Sequence, residues 1–129
     1  MNKFKLNPKR GIIFCRTEII NKEKSVFLKM ALDTGATYTM VPNKAVLSID
    51  INPSKTHRTI EVTTGSGVII APIVIIPKFR AFEFEIKNLE VICHNLPPES
   101  AVEGLLGLNF LKHFNVFLKF PKNILEITK

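Results

Sequence analysis

Short segments rich in β-branched and aromatic residues recur along this 129-residue chain and alternate with polar or glycine-containing turns. Segments of this kind are typical of β-strands. Strands are predicted over residues 11–20, 25–32, 38–41, 59–63, 68–76, 81–86, 89–94, 116–120 and 124–127. Turns are expected at residues 21–24, 64–67, 87–88 and 121–123. The pattern therefore predicts an all-β fold.

Helical signals are restricted to two segments. Pro42 suits the first turn of a short helix over residues 42–47, because proline lacks an N–H that this turn leaves unpaired anyway. Four apolar residues at helical spacing predict a second helix over residues 105–114. The four are Leu105, Leu108, Leu111 and Phe114. The expected architecture is a β domain with one short helix near its C-terminus.

The composition is that of a folded chain. Apolar residues make up 46% of it and charged residues 22%, which is enough apolar material for a core and argues against disorder. No charge block or Pro/Gly/Ser tract divides residues 1–129, so one domain is predicted, with residues 1–10 as a flexible N-terminal segment. The longest apolar run is too short for a membrane span, and the first residues lack a signal-peptide apolar block. A soluble cytoplasmic protein without a membrane partner is expected.

A formal net charge of +7 raises the question of nucleic acid. The basic residues are scattered, and only Lys3, Lys5, Lys9 and Arg10 are concentrated. A solvated basic surface explains this distribution, so no nucleic-acid partner is predicted. Association with nucleic acid is therefore the weakest functional hypothesis for this chain.

The cysteines and histidines do not form a recognisable site. Cys93 and His94 are neighbours, which a strand directs to opposite faces, so no metal site and no cofactor are predicted. Cys15 has no histidine near it in the sequence that could activate it as a nucleophile. Cys15 and Cys93 are expected to be free thiols, because the chain lacks a secretion signal.

One tripeptide carries an obvious chemical group. Asp33-Thr34-Gly35 places a carboxylate directly after an apolar strand, and the glycine lets the backbone turn sharply close to a substrate. By itself the tripeptide is equally compatible with an ordinary surface turn. Its meaning depends on the rest of the chain.

Two other landmarks accompany this tripeptide. The strands over residues 59–63 and 68–76 flank Thr64-Gly65-Ser66-Gly67, which predicts a long glycine-tipped hairpin, and Gly104-Leu105-Leu106-Gly107 follows later. With Asp33-Thr34-Gly35-Ala36, these segments occur in an order that resembles retroviral aspartic proteases and their bacterial single-domain relatives over residues 11–127. The resemblance implies a closed β-barrel with a flap hairpin.

The resemblance also implies roles for individual residues. Asp33 corresponds to the catalytic aspartate, Thr34 supports the partner's turn, and Gly35 allows close approach. Ala36 replaces the Ser or Thr of pepsin-like enzymes, whose hydroxyl stabilises the ionised aspartate, so an activity optimum nearer neutral is expected. The remaining expected site residues are Val62, Thr64, Gly65, Ser66, Gly67 and Val68 on the flap, Ile70 in an apolar subsite, and Leu105, Leu106 and Gly107 beside the catalytic turn.

The chemistry of such an enzyme requires two carboxyl groups. Hydrolysis of an amide by water needs one group as general base and another as acid for the departing nitrogen. The chain contains one Asp-Thr-Gly, so a homodimer is predicted in which each copy contributes Asp33. The predicted function is an aspartic endopeptidase acting on a peptide or protein. The alternative is a catalytically silent dimerising or peptide-binding module of the same fold.

Overall fold

The computed structural model of the protein describes residues 2–7 and 11–129. The strands are β1 (Asn2–Lys5), β2 (Phe14–Asn21), β3 (Lys24–Leu32), β4 (Thr39–Val41), β5 (Thr59–Thr64), β6 (Gly67–Ala81), β7 (Phe84–Cys93), β8 (Gly104–Leu106), β9 (Asn115–Lys119) and β10 (Ile124–Thr128). The helices are α1 (Asn43–Ser48) and α2 (Leu108–Leu111), with 3₁₀ turns at Pro53–Lys55 and Phe120–Lys122. No helical segment within the described ranges reaches the length and hydropathy of a membrane span.

Six strands close into a barrel. Their order is β2-β3-β8-β4-β7-β6, and an additional pairing between β2 and β6 completes the circle. β8 pairs with β3 in parallel and β4 pairs with β7 in parallel, whereas the other neighbours are antiparallel. β5 extends this sheet beyond β6 as one arm of a hairpin. The prediction of an all-β closed barrel with a projecting hairpin is confirmed.

The barrel is filled by the inward residues of these strands. Ile19, Met30, Phe79 and Phe110 are completely buried, and the rings of Phe79 and Phe110 lie 5.5 Å apart. Burial of a side chain of this size stabilises the fold by about 1.5–3 kcal/mol. Phe110 comes from α2, so the core fixes this short helix against the barrel.

A second sheet is built from the two ends of the chain. Its order is β1-β10-β9, and the hairpin of β9 and β10 is the terminal hairpin predicted from the sequence. Leu125 and Ile127 of β10 are completely buried, and Phe4 of β1 packs edge-on against Phe82 at 5.0 Å. Asn2–Lys5 is therefore a paired strand and not the flexible segment expected from the sequence, while residues 1 and 8–10 lie outside the described residues.

The turn between β6 and β7 corrects one prediction. The expected turn at residues 87–88 lies inside β7, and the chain reverses at Phe82 and Glu83, whose φ angles are 53° and 68°. Two positive φ angles are typical of the tight turn that joins antiparallel strands, although asparagine and glycine are its usual residues. Phe82 occupies this position because its ring is buried against Phe4, so packing overrides turn preference.

Strand β6 is longer than expected because Pro77 does not end it. The register runs from Ile76 paired with Leu89 to Lys78 paired with Lys87, and Pro77 between them is unpaired. Proline cannot donate to a ladder and is tolerated where the pairing is interrupted. The strand therefore continues to Ala81.

The C-terminal helix is shorter than predicted. Leu105 and Leu106, expected in a helix over residues 105–114, belong to β8 because β3 and β4 flank them on both sides. Only Leu108–Leu111 is helical. Phe114 still packs on Phe110 at 5.1 Å and Leu111 is buried, whereas Leu108 is 39% exposed, so the apolar spacing predicts only part of the packing.

Both cysteines lie in the barrel core. Cys15 and Cys93 are buried and are not joined in a disulfide, as predicted. Burial raises the pKa of each thiol to about 12. Neither side chain is therefore expected to react as a thiolate near neutral pH.

Glu126 is a buried carboxylate on the outer face of the terminal sheet. Lys119 Nζ donates to Glu126 Oε1 at 3.1 Å, and Lys3 Nζ lies 3.8 Å from the same oxygen. The hydrogen bond from Lys119 lowers the pKa of Glu126, and the charges of Lys119 and Lys3 add to this effect. The native state therefore favours the ionised form of Glu126.

Replacement of Glu126 by glutamine is expected to make the free energy of unfolding less dependent on pH in the acidic range. A lowered pKa contributes stability above the unfolded value, about 4.3 for glutamate, and this contribution is lost as pH falls through the lowered folded pKa. The difference in unfolding free energy between wild type and Glu126→Gln should shrink on acidification from pH 6 through this range. Urea unfolding at several pH values measures it, and a difference that does not change with pH would contradict the assignment.

Candidate active site

The Asp33 turn lies at the end of β3 and is held by backbone hydrogen bonds. Asp33 N–H donates to the Leu106 carbonyl of β8 at 2.9 Å, and Gly35 N–H donates to Asp33 Oδ1 at 2.9 Å. Ala36 N–H donates to the Asp33 carbonyl at 3.2 Å. These bonds fix the direction of the carboxylate, which borders a cleft, while Thr34 is exposed beside it.

Gly107 allows the chain after β8 to lie against this turn. A Cβ atom at Gly107 would be 2.6 Å from the Tyr38 carbonyl oxygen and 2.8 Å from that of Ala36. The next N–H group, of Leu108, donates to the Ala36 carbonyl at 2.8 Å. Gly104 is similarly tight, because its Cβ would collide with the Met40 carbonyl. Glycine at these positions is therefore required by contact with backbone.

Two polar residues that the sequence did not single out connect these segments. The backbone N–H and the hydroxyl of Thr39 both donate to Asn109 Oδ1 at 2.8 Å, and Gly107 N–H donates to the Thr39 hydroxyl at 3.1 Å. Asn109 Nδ2 donates to the Glu90 carbonyl at 2.6 Å. The sequence feature that could have identified Asn109 is its position as a polar residue between two apolar ones, in Leu108-Asn109-Phe110. Thr39 and Asn109 hold these segments together without bordering the cleft.

The substitution Thr39→Val is expected to loosen this connection. Valine keeps the shape but leaves the buried N–H of Gly107 without its acceptor, which costs about 1–3 kcal/mol of stability. Chemical denaturation measures this loss, and Thr59→Val, at an exposed threonine of β5, is the matched control. Equal stability of the two variants would show that the Thr39 hydroxyl does not hold the segments together.

The cleft has a volume of about 1150 Å³ and separates the Asp33 turn from the β5–β6 hairpin. Its floor contains Asp33, Gly35 and Ala36, and the hairpin tip contributes Thr64, Gly65 and Ser66. Its apolar lining residues are Ala36, Met40, Ile60, Val62, Ile69, Ile92, Leu96, Pro97, Pro98 and Leu105. The cleft therefore places the Asp33 carboxylate beside a mainly apolar wall.

The hairpin presents one face to the cleft and the other to solvent. Val62 pairs with Ile69, and both pack in a small apolar cluster with Met40. Val68 and Ile70 alternate with Ile69 and lie on the opposite face, where they are 62% and 71% exposed. The expectation that Val68 and Ile70 line a subsite is therefore wrong for this chain.

The hairpin tip is shaped by small residues. Gly67 has a φ of 128°, a conformation that side chains disfavour, and it begins β6 without bordering the cleft. Thr64 Oγ1 donates to the Gly67 carbonyl at 2.9 Å and accepts from Ser66 N–H at 3.3 Å. Leu105 borders the cleft, whereas Leu106 is completely buried beneath it.

The net positive charge of the chain does not come from the cleft. Among the described lining residues the ionisable ones are Asp33, Tyr38, Glu61 and His94, and neither lysine nor arginine is in this set. An anionic ligand would therefore find no lysine or arginine to pair with among these lining residues. An extended apolar segment suits this lining better.

Comparisons with known proteins agree with this geometry. The model of the family described as "gag-polyprotein putative aspartyl protease" matches residues 19–113. The structure of a retropepsin-like aspartic protease from Rickettsia conorii is similar, with a TM-score of 0.67 and 18% sequence identity over 95% of this chain and 84% of that one. No curated protein matches the sequence.

The structural similarity shows a shared fold, and the family match extends over most of the barrel. It includes the Asp33 turn, the hairpin and the segment through Gly107. The chain belongs to the gag-polyprotein aspartyl protease family and has the retropepsin-like fold.

Proposed function

We propose that this protein is an aspartic endopeptidase whose active site contains two Asp33 side chains, one from each subunit of a homodimer. The observation that carries the proposal is the position of Asp33, the one aspartate among the described residues that line the cleft. Peptide hydrolysis by this chemistry needs a base and an acid. A two-fold dimer supplies the second carboxyl group from the same sequence.

Hydrolysis then follows from the pair of carboxyl groups. Two carboxyls about 3 Å apart share one proton, because both cannot ionise easily. The ionised group accepts a proton from water as the water oxygen attacks the peptide carbonyl carbon. The protonated group donates its proton to the substrate. Collapse of the tetrahedral intermediate breaks the C–N bond as the nitrogen receives the proton that the first carboxyl group took from water, and the other carboxyl group recovers the proton that it gave to the substrate. Gly35 N–H, which donates to Asp33 Oδ1, keeps that oxygen oriented.

The cleft wall suggests how a peptide is held. An extended peptide between the floor and the hairpin can form strand-like backbone hydrogen bonds, while side-chain pockets select the sequence. Val62 and Ile69 give the cleft face of the hairpin an apolar surface. Closure of the tip at Gly65 and Ser66 would exclude water from the scissile bond.

A cleavage map tests this proposal. Purified dimer is incubated with a diverse peptide library, and products are identified by mass spectrometry across a range of pH. Cuts inside peptides, flanked mainly by apolar residues, are expected. Peptide binding without any turnover would instead identify a silent binding module, and the endopeptidase proposal would fail.

A further inference from the structure

The outer face of the β2–β3 hairpin carries two opposed cations. Arg16 is paired with Lys29 across the two strands, and both side chains are exposed. Like charges directly opposite each other on neighbouring strands destabilise a sheet, because they repel each other at short range. An anion that binds between the two side chains would remove this repulsion.

A phenylalanine ring lies beside each cation. The Arg16 guanidinium lies 4.1 Å from the centroid of the Phe27 ring, and Lys29 Nζ lies 4.3 Å from that of Phe14. Phe14 is two register positions to one side of the cationic pair and Phe27 two positions to the other, so the rings are about 14 Å apart along the strands. The four side chains border one surface hollow. This face therefore presents a ring, two cations and a second ring in succession.

A neighbouring hollow extends this face towards the ends of the chain. Phe14 and Lys29 border it together with Lys5 and Phe120. Lys5 is exposed, and Phe120 is 61% exposed. The second hollow thus adds a third cation and a third ring. We call the combined surface the basic aromatic strip, and its members are Lys5, Phe14, Arg16, Phe27, Lys29 and Phe120.

The cations of the basic aromatic strip carry unneutralised charge. Within residues 2–7 and 11–129, none of the three forms an ion pair with a carboxylate, whereas other basic residues do. Those residues are Lys3, Lys24, Arg58, Arg80 and Lys119. The described residues that line the two hollows include neither aspartate nor glutamate. Part of the net charge of +7 is therefore concentrated on this strip.

Two carboxylates lie beside the strip, and each already has a partner. Glu18, which is opposite Phe27, is bound by Arg80 at 3.4 Å. Glu103 Oε1 accepts from the backbone N–H of Lys29 at 3.0 Å. Neither carboxylate forms an ion pair with a cation of the strip. Its positive charge stays available to an anionic partner.

We propose that the basic aromatic strip binds single-stranded nucleic acid, an activity separate from peptide cleavage. Proteins that bind single strands without sequence preference combine cations along the phosphate backbone with aromatic rings on which bases stack. Arg16 and Lys29 pair with phosphates, and the rings of Phe14 and Phe27 stack on bases to either side. This departs from the expectation drawn from the sequence, because the fold gathers basic residues that are scattered along the chain.

The rings favour a single-stranded nucleic acid over other anionic partners. An acidic peptide can pair its carboxylates with the cations, but it has no regular series of flat groups for the rings. Every base offers a flat π face, so stacking does not depend on the nucleotide sequence. In a double helix the bases are stacked on one another, which keeps them from the rings. The strip therefore suits unpaired nucleotides.

The salt dependence of binding tests the cations. Fluorescence anisotropy of labelled oligouridylate and oligothymidylate, each of about 20 nucleotides, is measured at several salt concentrations. The double variant Arg16→Gln with Lys29→Gln should make the slope of log K against log salt shallower by about 1.4, because each phosphate contact contributes about 0.7. Lys55→Gln with Lys87→Gln removes the same charge from exposed lysines outside the strip and should leave the slope unchanged.

A substitution at Phe27 tests the rings. Phe27 is 52% exposed, so Phe27→Leu should fold like the wild type while losing the aromatic face. Binding at fixed salt should weaken at least about fivefold, the lower range for a lost stacking contact, with the slope unchanged. Phe117→Leu, at a phenylalanine that is exposed on β9 outside the strip, is the control and should bind like the wild type.

These measurements do not depend on catalysis. Wild-type protein that binds neither oligonucleotide at low salt, or a Phe27→Leu variant that binds as tightly as Phe117→Leu, would overturn the proposal. A polyglutamate peptide or a duplex that binds as tightly as the single strands would also overturn it, because the rings would then have no role. Thermal unfolding verifies that each variant is folded, and Phe27→Leu decides the matter if the double variant is not.

Discussion

Asp33→Asn is expected to lower kcat/KM for peptide cleavage by roughly 10²–10⁴-fold. Asparagine matches the shape of aspartate but cannot accept a proton from water or share a proton with the opposite carboxyl group. In the proposed homodimer both carboxyl groups are lost together. The amide oxygen can still accept from Gly35 N–H, which now donates to Asp33 Oδ1 at 2.9 Å, so the turn should keep its conformation.

Two measurements separate this effect from misfolding. Sedimentation should show that Asp33→Asn is as dimeric as the wild type, and thermal unfolding should show a similar Tm. Initial rates on a peptide from the cleavage map give the loss in kcat/KM. A dimeric, folded Asp33→Asn protein that cleaves at the wild-type rate would remove Asp33 from the mechanism.

Gly107→Ala is expected to damage both folding and catalysis. The added Cβ would lie 2.6 Å from the Tyr38 carbonyl oxygen and 2.8 Å from that of Ala36, so backbone must move. Overpacking of this kind costs about 1–3 kcal/mol. The displaced backbone includes Ala36 of the turn proposed to be catalytic, where misplacement of reacting groups by about 1 Å costs about 10²-fold in rate. Urea unfolding and kcat/KM measure the two effects.

The control for this substitution is Gly11→Ala. A Cβ at Gly11 would meet nothing within 4 Å, so alanine there should leave stability within about 0.5 kcal/mol of wild type. If Gly107→Ala were as stable and as active as Gly11→Ala, the close contact between Gly107 and the Asp33 turn would constrain neither the fold nor the proposed activity.

The strand content of the fold follows directly from local sequence. The terminal hairpin and the flap hairpin combine β-branched residues with turn residues such as Pro121-Lys122-Asn123 and Gly65-Ser66, and both were predicted. Local preference and tertiary structure agree at these positions.

The errors occur where distant contacts decide the conformation. Phe82 turns the chain because its ring packs on Phe4, which lies 78 residues earlier in the numbering of the chain. Leu105 and Leu106 are extended because β3 and β4 lie on either side of them. Single-sequence periodicity contains no information about such partners.

The candidate site was predictable where its chemistry is local. The Asp33 turn and the close approach at Gly107 followed from short motifs and their resemblance to a family. Thr39 and Asn109 were missed because their roles depend on a hydrogen bond between segments 70 residues apart. Val68 was misplaced because the register of the hairpin, which determines its outward face, is not visible in composition.

The most direct test of the central claim is the activity of mixed dimers. Wild-type and Asp33→Asn proteins are combined in equal amounts, allowed to exchange subunits, and assayed at constant total concentration. If each active site needs two Asp33 side chains, random exchange leaves about a quarter of the wild-type activity, because only dimers of two wild-type subunits cleave. Retention of about half the wild-type activity would show that each chain acts with its own Asp33, and would contradict the account.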